Sequence, residues 1–196
     1  MTSLARLAKG ALFAPARFVE GASVDDAIVV ARLSVATLWL SWGALLVVLT
    51  KDGHAPSGPL VLPFERAHAY LAQAALTGPL FVLSALLASM VSVRLIEEDA
   101  RRDPAAARAW RAHVTTTIAA TSLLFLVVPD AVAYAIGGFR GLQFAAPIVL
   151  PCFFVGLVVR ATRVAREHFA TSRPRALLVG MVVAIAHLVV TGPFVR

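Results

Sequence analysis

The sequence predicts an all-α integral membrane protein, a bundle of about five transmembrane helices with a cytoplasmic N-terminus and a C-terminus outside. Of its 196 residues, 59% are hydrophobic and only 15% are charged, and the mean hydropathy is +0.81. Soluble domains average about 45–50% apolar and about 25% charged residues, so a soluble fold would leave much apolar surface in water. A bilayer accommodates that surface, and no polar stretch is long enough to fold separately.

Five apolar stretches have the length that a bilayer requires. A spanning helix needs about 20 apolar residues, because the hydrocarbon core is about 30 Å thick and a helix rises about 1.5 Å per residue. The stretches are 27–50 and those between arginines 66 and 94, 111 and 140, 140 and 160, and 175 and 196. The chain therefore divides into an N-terminal cytoplasmic or interfacial segment, residues 1–26, and one transmembrane helical domain, residues 27–196. Leucines among the cations of the segment indicate either a short interfacial helix or a frayed start.

The basic residues between the stretches predict the orientation. Alternate sides of the membrane receive 13 and 4 lysines and arginines, and the positive-inside rule places the richer side in the cytoplasm. The net charge of +7 then reflects cytoplasmic loops that face anionic lipid. Aromatic residues do not alternate with these cations as they do in nucleic-acid-binding surfaces. We therefore expect the lipid bilayer, with anionic lipids at the cytoplasmic loops, as a partner, and no nucleic acid.

Ionisable side chains inside a membrane are costly, and three lie within the predicted spans. Arg32 is about five residues into the first span, where its side chain can snorkel to the headgroups, an interpretation we favour over a buried ion pair. Asp130 follows Pro129, which loosens a helix. Either the span ends at Pro129 and Asp130 is in water, which we favour, or Asp130 faces a polar cavity. Arg32 and Asp130 are expected near opposite faces of the bilayer, too far apart for a salt bridge.

His187 lies near the middle of the fifth span. A bis-histidine haem site needs a second histidine at the same depth, and the other four histidines lie nearer the predicted surfaces. We therefore favour a neutral His187 that is bonded to backbone or water. Prolines at 79, 147 and 151 predict kinks in the second and fourth spans. Gly137-Gly138 and the Ala133-x-x-x-Gly137 pattern predict small-residue packing surfaces.

The fourth loop carries the strongest positive surface. Arg160, Arg163 and Arg166 recur at every third position, so they are expected to share a face of a helix that continues from the fourth span. We predict that they contact anionic lipid or an acidic partner. The alternative is that they serve only to set the topology, which any positive charge would satisfy.

No pattern for enzyme chemistry is present. The single cysteine, Cys152, excludes an internal disulfide, and its apolar surroundings indicate a packing residue within a helix. Glu65-x-x-His68 has the spacing of a di-iron motif, but such sites need two copies. Nucleotide-binding, hydrolase and zinc-protease motifs do not occur. The sequence thus predicts a protein that is not an enzyme and has no cofactor.

The layout resembles the Yip family of Rab-interacting, five-span membrane proteins and its bacterial relatives. Pro15 and Phe18 before the first span are similar to the opening of that family. The further residues that match are Gly156, Leu157, His168, Ser172, Arg175 and Ala176. A Gly-Gly pair that the family has near the end of the second span is replaced here by Glu97-Glu98-Asp99. The resemblance implies a non-enzymatic organiser of membrane or partner proteins and transfers no catalytic residue.

Three functional hypotheses follow. The first is a scaffold or accessory subunit of a membrane complex, with a membrane-protein partner or a second copy of the chain. The second is a small transporter or channel that uses Asp130, Arg32 and the kinked fourth helix. The third is a redox-complex subunit that binds haem or quinone. Arginine outnumbers lysine 16 to 2, which is typical of a GC-rich bacterial genome and indicates the cell inner membrane.

Overall fold

The computed structural model describes residues 23–56, 65, 68–96 and 102–192, and all regular structure in these residues is helical. The α-helices are α1 (Val24–Lys51), α2 (Ala69–Ser92), α3 (Pro104–Ser122), α4 (Val128–His168) and α5 (Arg173–Thr191). A 3₁₀ turn, Val93–Leu95, extends α2, and a π-helical turn, Leu123–Val127, joins α3 to α4. The predicted interfacial helix in residues 1–22 lies outside the described residues, as do Glu97, Glu98 and Asp99.

Within the described residues, four helical stretches are long and apolar enough to cross a membrane, which confirms the predicted all-α class and the presence of membrane-spanning helices. They are Val24–Lys51, Ala69–Leu95, Pro104–Glu167 and Arg173–Thr191. The third contains 64 residues. A straight helix of that length would extend about 96 Å, roughly three times the thickness of the hydrocarbon core.

The long third stretch is not straight, because it reverses at Gly138. The backbone of Gly138 has φ 58° and ψ −149°, which is not helical, and it separates a first arm (residues 104–137) from a second arm (139–168). A Cβ on Gly141 would lie 2.2 Å from Ala133 O, whereas a straight helix would separate these residues by about 12 Å. Deeper in the hairpin, Gly156 faces Phe125. The two arms therefore run antiparallel.

Local sequence signals define where the helices begin. The Ser23 hydroxyl accepts a hydrogen bond from Asp26 N, and the Asp26 carboxylate accepts one from Ser23 N, so a capping box starts α1. Asp103 caps α3 by accepting from Ala105 N at 2.8 Å, and Pro104 is the first residue of that helix.

The helices pack around α2, which contacts α1, α3 and α5, while α5 also packs along α4. The close approach of α5 to α4 occurs at Gly180, where a Cβ would lie 2.5 Å from Val158 O. The predicted small-residue surface at Gly137 is wrong, because no atom lies within 4 Å of a Cβ built there. Gly137, which is exposed, and Gly138 form the turn of the hairpin instead of a helix interface.

Candidate binding cavity

A cavity of about 380 Å³ opens near the hairpin turn, between the C-terminal half of α1, the start of α2 and the second arm. Small-molecule sites have volumes of about 300–1,000 Å³, so this space fits a compact ligand. Most of its wall is apolar. The lining residues are Trp42, Leu45, Leu46, Leu49, Pro56, Tyr70, Gln73, Asp130, Phe139, Leu142, Gln143 and Ala146.

Asp130 is a wall residue of this cavity and is only 2% exposed. The favoured interpretation, in which the span ends at Pro129 and leaves Asp130 in water, is therefore wrong. Pro129 has no N–H to donate, and the helix accommodates it with the π turn just before, in which Val128 N donates to Leu123 O. A π turn adds a residue to one helical turn, so the helix continues through the proline and the side chains that follow are displaced around its axis.

Polar and aromatic side chains surround the cavity at several points. Gln73 and Gln143 contribute amides, while Trp42 and Tyr70 contribute aromatic rings that are largely buried. Sequence reasoning missed these four residues because it considered only charged groups and histidines. Two uncharged glutamines inside apolar spans were the available signal, since a lipid-facing glutamine amide would have no partner in the hydrocarbon.

The end of α1 is attached to the hairpin turn beside the cavity. Tyr134 donates a short hydrogen bond from its hydroxyl to the Asp52 carboxylate. The His54 ring stacks on Phe139 with 4.5 Å between centroids and 10° between planes. Since Phe139 also lines the cavity, these contacts form one side of its boundary. They also place the C-terminal end of α1 and the turn of the hairpin on the same side of the bundle.

His187 lies in the centre of the bundle and is 1% exposed. Its Nδ1 is 2.9 Å from Ser84 Oγ, and Ser84 Oγ is also 2.9 Å from Phe81 O. Both contacts are satisfied when His187 Nδ1–H donates to the serine and the serine donates to the carbonyl. The rings of Phe81 and Phe153 pack edge-on to the imidazole. The partner is thus a serine side chain, where the sequence suggested backbone or water, and no contact to a second histidine occurs among the described residues.

Arg32 is exposed on α1 and lines a different groove from the cavity that holds Asp130. The structure therefore does not bring these two candidates together. Of the three fourth-loop arginines, Arg163 and Arg166 are exposed, but Arg160 is half-buried. The helix does continue through all three, since α4 ends at His168. They consequently do not form one evenly exposed face.

The remaining sequence candidates show no metal site. Glu65 Oε2 and His68 Nδ1 form an exposed pair at 3.4 Å. Within the described ranges, no group of three or more histidines, cysteines, aspartates or glutamates is close enough to hold a metal ion. Cys152 lies within α4, as predicted, but it is exposed on the second arm, so the prediction that it is a packing residue is wrong.

Comparisons with known proteins identify no relative whose functional residues could be mapped onto this chain. No family model, no curated protein and no solved structure matches this chain. The resemblance to the Yip family therefore rests on the residues quoted above and has no support from these comparisons, and the cavity has to be interpreted from its own chemistry.

Proposed function

We propose that the chain crosses the bacterial cytoplasmic (inner) membrane five times, with the N-terminus inside and the C-terminus outside. The two antiparallel arms of the hairpin support separate spans. At about 1.5 Å per residue, the first arm is about 51 Å long and the second about 45 Å, and both exceed the hydrocarbon core. The 13-to-4 distribution of basic residues supports the orientation. In this arrangement the hairpin turn and the cavity lie toward the outside.

The function that the geometry supports best is the binding and transport of a compact organic cation. The observation that carries it is the placement of the Asp130 carboxylate in the wall of a 380 Å³ cavity inside the membrane domain. Carboxylates inside a membrane domain are expensive, and they mark substrate or ion pathways. This favours the transporter hypothesis over the scaffold hypothesis.

The rest of the wall agrees with a cationic ligand. In a wall that is otherwise mostly apolar, the Asp130 carboxyl group favours a cationic ligand over an anionic one. The aromatic rings of Trp42 and Tyr70 attract cations through their electron-rich faces. Gln73 and Gln143 offer amide oxygens as further acceptors, and the leucines of α1 suit an apolar body. A small amine or quaternary ammonium with a hydrophobic part combines these properties.

The contacts at the hairpin turn suggest how the outer side of the cavity is closed. Phe139 is both a wall residue and the stacking partner of His54. The neighbouring bond from Tyr134 to Asp52 fastens the end of α1 to the first arm. In our proposal, passage between the outside and the cavity requires these two contacts to separate.

Equilibrium dialysis of the purified full chain with labelled benzyltrimethylammonium tests the proposal. The wild type is expected to bind this compact aromatic cation saturably, and the neutral isostere neopentylbenzene should not compete. Asp130→Asn keeps the shape of the side chain and removes its charge, so affinity should fall at least about tenfold. Asp25→Asn removes an exposed carboxylate from the start of α1 and serves as the matched control. Uptake by counterflow into proteoliposomes would then distinguish a transporter from a binding protein.

Equal cation binding by the wild type and Asp130→Asn would refute the proposed role of the carboxylate. The scaffold or accessory-subunit hypothesis is the second candidate, and it draws on large apolar side chains exposed on the hairpin, such as Ile136 at 84% and Phe144 at 80%. Lipid explains that exposure as well as a protein partner does. Stable co-purification of a defined partner, together with absence of cation binding, would favour the scaffold.

A further inference from the structure

A second concave surface lies away from the cavity, where α1, α2 and α3 leave an open groove of about 910 Å³. Its floor and walls are mostly apolar and run from the second turns of α1 and α3 to the level of Trp39 and Pro79. Its apolar wall includes Val35, Ala36, Val82, Leu83 and Leu86. The groove is thus an open, mostly apolar trough at the surface of the bundle.

Three arginines occupy one end of this groove: Arg32 from α1, and Arg108 and Arg111 from α3. All three are exposed, and no aspartate or glutamate of the described ranges lines the groove. The packing of α1 against α3 brings Arg32 and Arg111 together. Ala31 directly precedes Arg32, Ala112 directly follows Arg111, and the two alanines are buried in one small apolar cluster. The arginines therefore lie at matching depth on two parallel helices.

The backbone of Arg32 lies about 6 Å inside the boundary between headgroups and hydrocarbon. Helix α1 has 28 residues and is therefore about 42 Å long, against a hydrocarbon core of about 30 Å. If α1 is centred, about 6 Å of it projects on each side, and Arg32 lies about 12 Å from its start. A guanidinium at that position reaches the phosphate level by snorkelling.

We propose that this groove is a binding site for one anionic phospholipid of the cytoplasmic leaflet. The three guanidinium groups bind the phosphate, for which the planar, forked arginine side chain is well suited. An acyl chain lies along the apolar wall toward Trp39 and Pro79. Charge and shape thus point to the same ligand, since the cationic end of the groove is followed directly by its apolar trough.

Charge and shape also distinguish the lipid from three other occupants. Residues 1–22 contain Arg6, Lys9 and Arg17 but only one acid, Glu20, so this segment would bring like charge to the arginines. A second copy of the chain that used the same surface would present its own Arg32, Arg108 and Arg111. A soluble phosphate would satisfy the arginines but leave the apolar trough empty.

Quenching of tryptophan fluorescence by brominated lipid tests the proposal on the purified full chain in neutral detergent. Bromine atoms on an acyl chain quench a tryptophan they touch, and Trp39 lines the groove with 42% of its surface exposed, whereas Trp110 is fully buried. Brominated phosphatidylglycerol should quench with an apparent affinity at least about tenfold higher than phosphatidylcholine with the same chains. The lipid-selective part of the quenching should disappear in Trp39→Phe.

Matched charge variants separate the groove from general attraction to anionic lipid. Arg32→Gln with Arg111→Gln should abolish the preference for phosphatidylglycerol, because each arginine near the headgroup contributes about fivefold. Arg163→Gln with Arg166→Gln also removes two positive charges from exposed positions, on α4, and should preserve the preference. If both double variants lose it equally, or if neither does, the groove is not the site. Relief of quenching by glycerol phosphate would identify a soluble-phosphate site instead and overturn the proposal.

A third variant covers the case in which the double glutamine variant does not fold. Ala36→Phe retains every arginine and fills the exposed apolar wall of the groove, so selective quenching should be lost while the protein remains folded. Selective quenching that persists in Ala36→Phe would contradict the proposal. A change in the oligomeric mass of Ala36→Phe without lipid, measured by light scattering, would identify a second copy as the occupant and would also contradict it.

Discussion

The indole of Trp39 lies directly on the backbone of α2 at Gly78. A Cβ on Gly78 would be 2.5 Å from Trp39 Cδ2, and Trp39 Nε1 donates a hydrogen bond of 2.7 Å to Ala74 O. Glycine at this position therefore allows α1 to approach α2 closely enough for the bond to form. The same indole lines the groove that we assign to a phospholipid.

Replacement of Gly78 by alanine should destabilise the protein. The added methyl group overlaps the indole, and overpacking of this kind costs about 1–3 kcal/mol. Gly43→Ala is the matched control, because the nearest atom to a Cβ on Gly43 is 4.0 Å away. Thermal unfolding in detergent should show a lower melting temperature for Gly78→Ala only. Equal melting temperatures would mean that the indole moves aside without cost.

Alanine substitutions in the hairpin turn test backbone strain alone, because an added methyl group meets no neighbouring atom there. No atom lies within 4 Å of a Cβ on Gly137 or Gly138, but only Gly138 has a positive φ, at 58°. With ψ at −149°, this conformation is nearly exclusive to glycine and costs other residues about 1–3 kcal/mol. Gly138→Ala should therefore unfold at lower temperature, while Gly137→Ala should match the wild type. Identical stability of the two variants would show that the turn adopts another conformation.

The buried hydrogen bond between Ser84 and His187 should stabilise the protein, because it gives the His187 imidazole a polar partner. Ser84→Ala leaves the imidazole without its serine partner and should cost about 1–2 kcal/mol. Ser89→Ala is the control, since Ser89 is equally buried on α2 and bonds only to Leu86 O of its own helix. In Ser84→Ala with His187→Phe, the combined cost should be smaller than the sum of the single costs. Strict additivity in this cycle would mean that the two side chains do not interact.

The proposed five-span topology predicts which positions an impermeant thiol reagent reaches from outside intact cells. In a Cys152→Ser background, cysteine at Gly137 in the hairpin turn should be labelled. Cysteines at the exposed residues Arg102 and Ser172 should be labelled only after the membrane is permeabilised. Labelling of Arg102→Cys from outside would reverse the orientation. Protection of Gly137→Cys on both sides would contradict the separate spans of the two arms.

Much of the helical framework could be predicted because its signals are local. Apolar length predicts which stretches form spanning helices, and Ser23 with Asp26, or Asp103 with Pro104, contains in a few residues the chemistry of a helix start. The reversal at Gly138 was predicted only as a loop near Arg140, because a turn of one residue leaves almost no polar segment to recognise. The environment of Asp130 could not be predicted, since Pro129-Asp130 is equally typical of a helix end.

The sequence by itself determined the all-α class, the approximate limits of the helices and the segregation of positive charge, since each follows from composition or from contacts within one helical turn. Only the tertiary structure decided that Asp130 faces a cavity, that His187 meets Ser84, and that Arg32 lies beside the arginines of α3. These relationships depend on the rotation of each helix about its axis and on its depth beside its neighbours. A single π turn changes the rotation, and no local pattern of residues specifies which helix face will meet another.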